Sequence, residues 1–255
     1  MLDNEKVNII IATHNDSTTI QKTLESVTKG IRPADQVTVG DNNSTDGTYD
    51  VLCKLLDAKQ VTIDNKTGLP PQFKGKFNEI PVTIFRKKSS TIGHTLNIAM
   101  QMEWKNITLF GFVDKGSWYA GDKIAQAIRV FQQYPAVACV VSDFDNHHSD
   151  GRVERVFRCS FDMQRLLTDY QYDRNFLVRT QIFPKLKCGF SEQMPIRDDY
   201  DLLLKISEIG LIYHIPAPLH NNIIVEIDET VKQLITQNET ITKQLTAQRR
   251  NKPNG

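Results

Sequence analysis

Short, continuous apolar runs rich in β-branched residues recur along the first half of the chain, and a helical pattern follows each. VNIIIA (7–12), residues 36–40, PVTIF (81–85) and ITLFGFV (107–113) read as buried strands. Behind the first, Ile20, Leu24 and Val27 fall on one helical face, with Asp16 and Ser17 as candidate caps. Tyr49–Leu56, residues 92–103 and residues 121–133 read as further helices. Strands alternating with helices predict parallel βαβ units in one sheet, covered on both faces. Ligands in such folds bind beyond the carboxyl ends of the strands.

Those ends are where the polar residues gather. Thr13-His14-Asn15 follows the first strand, Asp41-Asn42-Asn43 the second and Asp114 the fourth. The second tip runs on as DNNSTDGT (41–48), far more small polar side chains than a turn requires. Asp41 can accept hydrogen bonds from a uracil N–H or from ribose hydroxyls, for which a carboxylate is the strongest side-chain acceptor. Asn43, Ser44 and Thr45 can orient the loop or cap the next helix.

Beyond residue 137 the pattern loosens, with strands at 137–142 and 153–158, an irregular stretch, and a helix at 199–209. That helix carries Leu202, Leu203, Ile206 and Ile209 toward the core and opens on Asp198-Asp199, at a terminus where carboxylates are stabilised. Residues 57–80, with Gly-Leu-Pro-Pro and several lysines, read as an inserted surface loop. Near the C-terminus Ile227, Val231, Leu234, Asn238, Ile241 and Leu245 alternate at spacings of four and three, as a coiled-coil seam does. The seam covers about two and a half heptads, short for a coiled coil, so a C-terminal helix packing on its own domain is the plainer reading.

Taken together, these motifs resemble family 2 glycosyltransferases. IIIATHND resembles the family's first strand and Pro-Thr-Tyr-Asn turn, and DNNSTDGT its second-strand signature. STIGHTLNIAM is similar to its small-residue turn and helix, and GFSEQMPIRDDYDLLLKISEIGLIYHIPAPLH to its acceptor-side signature. The resemblance spans roughly residues 7–220 and implies a GT-A fold, a Rossmann-like, mostly parallel α/β sheet flanked by helices. With the C-terminal seam it divides the chain into 1–222, the transferase domain, and 223–255, a helix and tail.

The resemblance implies transfer of a sugar, with inversion, from a nucleotide-diphosphate sugar, UDP-linked first, to an acceptor hydroxyl. Asp199 would be the general base and Asp198 its orienting partner. Donor contacts would come from Ala12, Thr13, Asn15, Asp41, Asn43, Arg86, Asn97, Asp114 and Lys115. Asp114 stands where the family's Asp-x-Asp motif begins, implying Mn²⁺ or Mg²⁺ held by Asp114 with His220. The chain departs there, reading Asp114-Lys115-Gly116, and Lys115 could instead neutralise the diphosphate.

The remaining features exclude more than they add. A net charge of +1 provides no global field for nucleic acid, though Arg86-Lys87-Lys88 and the tail Arg249-Arg250-Lys252 are local basic clusters. Cys53, Cys139, Cys159 and Cys188 lack zinc spacing, and His147-His148 lack a third ligand. No apolar run approaches a membrane span and no signal stretch opens the chain, predicting a cytosolic protein with at most peripheral membrane contact. No Walker A or Gly-rich dinucleotide loop occurs. A glycan, a lipid-linked sugar or the hydroxymethylated bases of modified DNA fit as acceptors. A non-catalytic nucleotide-sugar-binding or assembly subunit with an inherited fold is the alternative, and in either case the C-terminal helix could join copies into a homo-oligomer.

Overall fold

Strand β1 (Val7–Thr13) is buried along its whole length, and its alternate side chains feed two cores on opposite faces of a central sheet. The computed structural model describes residues 5–61, 68–89, 91–102, 106–166, 170, 172–186, 189–194 and 197–224, with isolated positions between 229 and 241. The strands that follow β1 are β2 (Gln36–Asp41), β3 (Lys59–Val61), β4 (Gln72–Phe77), β5 (Ile80–Arg86), β6 (Leu109–Val113) and β7 (Ser117–Tyr119). The later ones are β8 (Val137–His147), β9 (Val153–Val156), β10 (Leu177–Arg179) and β11 (Leu211–Ile223). Helices are α1 (Ile20–Thr28), α2 (Thr48–Leu56), α3 (Ile92–Gln101), α4 (Lys123–Gln133), the single turn α5 (Met163–Leu166) and α6 (Asp198–Ser207).

The strands lie in the order β3-β4-β5-β2-β1-β6-β10-β8-β11-β7, with β9 paired to β8. The four central strands β5, β2, β1 and β6 are parallel, as the alternating pattern requires. Their register levels the tips, Thr13 lying beside Asp41 and Asp41 beside Arg86. Outside that centre the sheet is mixed, with β11 parallel to β8. β10 runs antiparallel to both β6 and β8, and β4 runs antiparallel to β5. One consequence decides where the site residues come from: the chain entering an antiparallel strand meets the same sheet edge as the chain leaving its parallel neighbours.

Ile10 and Ala12 of β1 pack with α3, α6 and the phenyl rings of Phe110, Phe112, Phe176 and Phe190. Phe112 meets Phe176 and Phe190 edge-on at centroid distances of 5.3 and 5.0 Å. Val7, Ile9 and Ile11 pack on the other face with Ile20, Leu24 and Val27 of α1, Leu52 of α2 and Ile124, Ile128 and Phe131 of α4. Fully burying one such side chain contributes about 1.5–3 kcal/mol.

Several expected elements differ in detail. Residues 57–80 are not simply a surface loop, since β3 and β4 within them extend the sheet edge. Neither Asp16 nor Ser17 is the first cap residue of α1; Thr19 stands there, while the Asp16 carbonyl accepts the Thr19 and Ile20 amides. The expected boundary after residue 222 falls within the end of β11, at Ile223. In the C-terminal seam Asn238 is buried and Ile241 helical, whereas Ile227, Val231, Leu234 and Leu245 lie outside the described residues, as do Cys188 and the 249–252 cluster. Among the described residues no helix is long and apolar enough to cross a membrane.

Candidate active site

The loops after β1 and β2 are laced together by their own polar groups. Asp41, fully buried, accepts the Ser44 amide and hydroxyl and pairs with Arg86 Nε at 3.2 Å. The Asn15 amide donates to Ser44 Oγ at 2.9 Å, and the Thr45 amide donates to Asn15 Oδ1 at 2.8 Å. Asp46 accepts the Thr48 and Ser17 amides at 3.0 and 2.9 Å, and Thr48 Oγ1 accepts the Asp16 amide at 2.7 Å. Asn15 and Asn43 take left-handed backbone with φ of 51° and 56°, which asparagine tolerates better than most residues. The long polar run therefore builds the loop pair itself. Asp41, Asn15 and Arg86 do not line the adjoining cavity, Asp41 being buried and Arg86 exposed, and Asn43 is exposed.

That cavity, of about 370 Å³, lies beyond the strand ends. Ala12, Thr13 and His14 line one side, with Asn42 from the second loop and Ile92 and Thr95 from α3. The Asn42 amide donates to the Thr13 carbonyl at 2.8 Å, and the His14 ring Nδ1 lies 2.8 Å from the Asn42 carbonyl. The opposite wall is ionic, made by Asp114, Lys115, Tyr170, Arg174, Arg197 and Asp199. Five expected site residues, Ala12, Thr13, Asp114, Lys115 and Asp199, thus meet on one cavity.

Asp199 lies in the first turn of α6 and is 3% exposed. Tyr170 donates its phenolic proton to Oδ2 at 2.6 Å, and the Tyr200 amide donates to Oδ1 at 2.8 Å. Burial pushes the Asp199 carboxyl up to about 7, with the Asp198 charge adding to the rise and Arg174 and Tyr170 opposing it. Asp198, completely buried, is raised too, again by burial first. It reaches the cavity only through Arg174, whose guanidinium bridges Asp114 at the end of β6 and Asp198 at the start of α6.

Arg174 and Tyr170 were not anticipated from the sequence. Both belong to DYQYDRN, the irregular stretch ahead of β10, and reach the site because β10 is antiparallel. The density of aromatic and charged residues directly before an apolar FLV run was the available signal.

Asn97, expected at the donor, does not line the cavity and uses its amide elsewhere. Its Nδ2 donates to the Phe190 carbonyl and to Glu192 at 3.0 and 2.9 Å, and its Oδ1 accepts the Phe190 amide at 2.9 Å. It pins the segment preceding α6 to α3. Gly93, one turn earlier, permits the same closeness, because a Cβ there would stand 2.6 Å from the Ser191 carbonyl and 2.9 Å from Asp198 Oδ2.

His220 is buried and absent from the cavity lining. Its Nδ1 lies 3.1 Å from Lys123 Nζ and its Nε2 3.0 Å from Asp173 Oδ2. Lys123 also donates to the Asn175 carbonyl at 2.5 Å, and burial pulls its ammonium down to about 7. His147 contacts Asn221 at 2.8 Å and His148 contacts Glu154 at 3.3 Å.

Mg²⁺ and Mn²⁺ prefer an octahedron of oxygen ligands supplied by carboxylates, phosphates and water. The side chains expected to supply them do not converge. Asp114 is engaged by Arg174, both ring nitrogens of His220 are engaged by Lys123 and Asp173, and residue 116 is a glycine at φ 71°. This donor set does not suit a divalent cation.

Among solved structures, the mannosyltransferase PcManGT from Pyrobaculum calidifontis in complex with GDP-Man and Mn²⁺ superposes with a TM-score of 0.67 at 16% identity, covering 97% of this chain and 65% of that one. S. aureus TarS 1–349 in complex with UDP-GlcNAc superposes at 0.63 with 14% identity, covering 91% and 65%. These likenesses establish the GT-A fold. Chondroitin synthase of Pasteurella multocida is 23% identical over 232 residues, which is 91% of this chain and 22% of that protein. Chondroitin synthase of Escherichia coli is 23% identical over 234 residues, 91% of this chain and 31% of that protein. The chain therefore spans less than a third of the length of these curated relatives. The model of glycosyl transferase family 2 matches residues 8–190, well over half of the sequence, and the chain belongs to that family.

Proposed function

We propose that the chain transfers a sugar from a nucleoside-diphosphate sugar to an acceptor hydroxyl with inversion at the anomeric carbon, Asp199 acting as general base. One observation carries the reading: a buried carboxylate with a base-like pKa of about 7 lines a cavity at the carboxyl ends of the parallel strands. The acceptor oxygen bonds to the anomeric carbon as the carbon–oxygen bond to the diphosphate breaks. The bonding pair leaves with the nucleoside diphosphate, and the hydroxyl proton passes to Asp199. An alcohol is a weak nucleophile until that proton is taken, and a base with a pKa near the working pH does so most effectively.

Ala12, Thr13, His14 and Asn42 form the donor side. UDP is the first choice of nucleotide because TarS binds UDP and UDP-GlcNAc, and a growing glycan is the acceptor class suggested by the two chondroitin synthases. The test is transfer from UDP-, GDP- and TDP-sugars to glycan acceptors, with wild type beside Asp199→Asn. Transfer by wild type that falls by about a hundredfold or more in the variant, general-base contributions being about 10²–10⁴, supports the reading. Equal rates in the two proteins would remove Asp199 from the role, and nucleotide binding without transfer would leave a binding subunit.

A further inference from the structure

We propose that the donor's diphosphate is held by the chain's own cations on the ionic wall of the cavity, Lys115, Arg174 and Arg197, so that nucleotide binding is independent of divalent metal. This rests on the donor being a nucleoside-diphosphate sugar and concerns how its charge is met.

The first argument is the sign of the cavity. Its charged lining sets Asp114 and Asp199 against Lys115, Arg174 and Arg197, with Asp198 buried behind Arg174, so cations at least match the carboxylates instead of giving way to them. A site built for Mg²⁺ or Mn²⁺ gathers carboxylates and repels neighbouring cations, whereas a site built for an anion does the reverse. The motif repeats this locally. A two-carboxylate Asp-x-Asp brings two negative charges, while Asp114-Lys115-Gly116 brings one of each sign and no net charge.

The second argument is geometric. Arg174 holds the position against Asp114 that an ion would otherwise take, and it is built in. It is 5% exposed, pinned to Asp114 on one side and Asp198 on the other, and carried there by the chain entering β10. Its Nε is buried and has no hydrogen-bond partner among the described residues. Guanidinium groups match phosphate oxygens in a planar, multidentate way that an ammonium cannot. Lys115 is exposed on the same wall, and its charge acts on Asp16 in the turn ahead of α1. Gly116, at φ 71°, supplies the left-handed turn directly after Lys115 and no side chain that could ligate an ion. In the reaction these cations would also stabilise the negative charge that develops on the departing diphosphate.

The experiment is calorimetric titration of the full chain with UDP, GDP and TDP, once in EDTA and once with Mn²⁺. Lys115→Gln and Arg174→Lys run beside wild type. The expected result is binding of at least one nucleotide with affinities in EDTA and Mn²⁺ that agree within about threefold, and a loss of about tenfold in Lys115→Gln, the size of one charge-assisted contact. Arg174→Lys keeps the charge but not the fork and should bind more weakly than wild type. Lys115 is exposed, so its variant decides the matter should Arg174→Lys fail to fold. Binding seen only with Mn²⁺, or undiminished in Lys115→Gln, would overturn the inference while leaving the donor reading intact. Absence of nucleotide binding under both conditions would overturn the donor reading and this inference with it.

Discussion

Tyr170 donates its phenolic proton to Oδ2 of Asp199 across 2.6 Å, inside a wall where burial has pushed that carboxyl up to about 7. The tyrosine is itself held well above its ordinary range by burial, so it stays a donor at every pH where the enzyme would work. A donor on a carboxylate favours the charged form, so Tyr170 opposes the rise that burial causes.

The acid limb of the rate profile should therefore turn near pH 7, and Tyr170→Phe should move that turn upward by about one pH unit, the order expected for losing a hydrogen bond to a charged group. At neutral pH the variant would be slower because less of its base is ionised, and its rate should approach wild type above the new turning point. A limb near pH 4 in both proteins would mean that Asp199 does not govern the rate.

The same pKa makes a stability prediction. Asp199 is raised from an ordinary 3.8 to about 7, so the folded state binds its proton more tightly than the unfolded chain does. The stabilising contribution is complete below pH 4 and is lost as the pH climbs to about 7. Asp199→Asn keeps an acceptor for Tyr170 and never ionises. Its melting temperature relative to wild type should rise between pH 4 and 7 and then level off, ending at least about 2 °C higher than at pH 4. A difference independent of pH would show that the carboxyl is not desolvated.

What could be read beforehand depended on whether local pattern or tertiary partner decides the outcome. The four parallel strands and their polar tips were legible because continuous apolar runs followed by amphipathic helices have few other solutions. Asp199 was legible because an acidic pair ahead of a Leu-rich stripe marks a helix start. Arg174 was not, since β10 has three residues and nothing in so short a run announces that it is antiparallel. The β3–β4 hairpin was overlooked although Phe73, Gly75 and Phe77 alternate with Lys74 and Lys76, the period of a strand. Asn97 and His220 were found as polar residues in suggestive places, but residue type does not disclose which partners the fold will bring to their hydrogen-bonding atoms.

Asn97 offers a sharp separation of donor and acceptor effects. Its hydrogen bonds go to Phe190 and Glu192 in the segment before α6, not to the cavity lining. Asn97→Ala should lower stability by about 1–3 kcal/mol through the Phe190 groups left unpaired. Nucleotide affinity should be unchanged within about twofold, while the acceptor KM rises as the segment leading into α6 loosens. A nucleotide affinity that collapses while stability holds would return Asn97 to the donor site.

The bridge from Asp114 through Arg174 to Asp198 ties the end of β6 to the start of α6, and its two carboxylates differ in a way that can be tested. Asp198 is completely buried, while the Asp114 side chain is 32% exposed. Removing the guanidinium strands Asp198 without a counter-charge, whereas Asp114 can turn to water. Arg174→Met should therefore cost about 3–5 kcal/mol at pH 8, the range for breaking a buried pair by deleting one partner. The cost should shrink toward pH 5. Burial already raises the Asp198 carboxyl, losing the cation raises it further, and a protonated carboxyl needs no partner. Combining Arg174→Met with Asp198→Asn should recover most of the loss, and combining it with Asp114→Asn should recover little, because only the buried Asp198 is left desolvated without its counter-charge while the partly exposed Asp114 regains water. Equal recovery in the two combinations would mean that Arg174 serves both carboxylates alike. A loss of stability constant from pH 5 to pH 8 would assign the bridge to packing instead of charge.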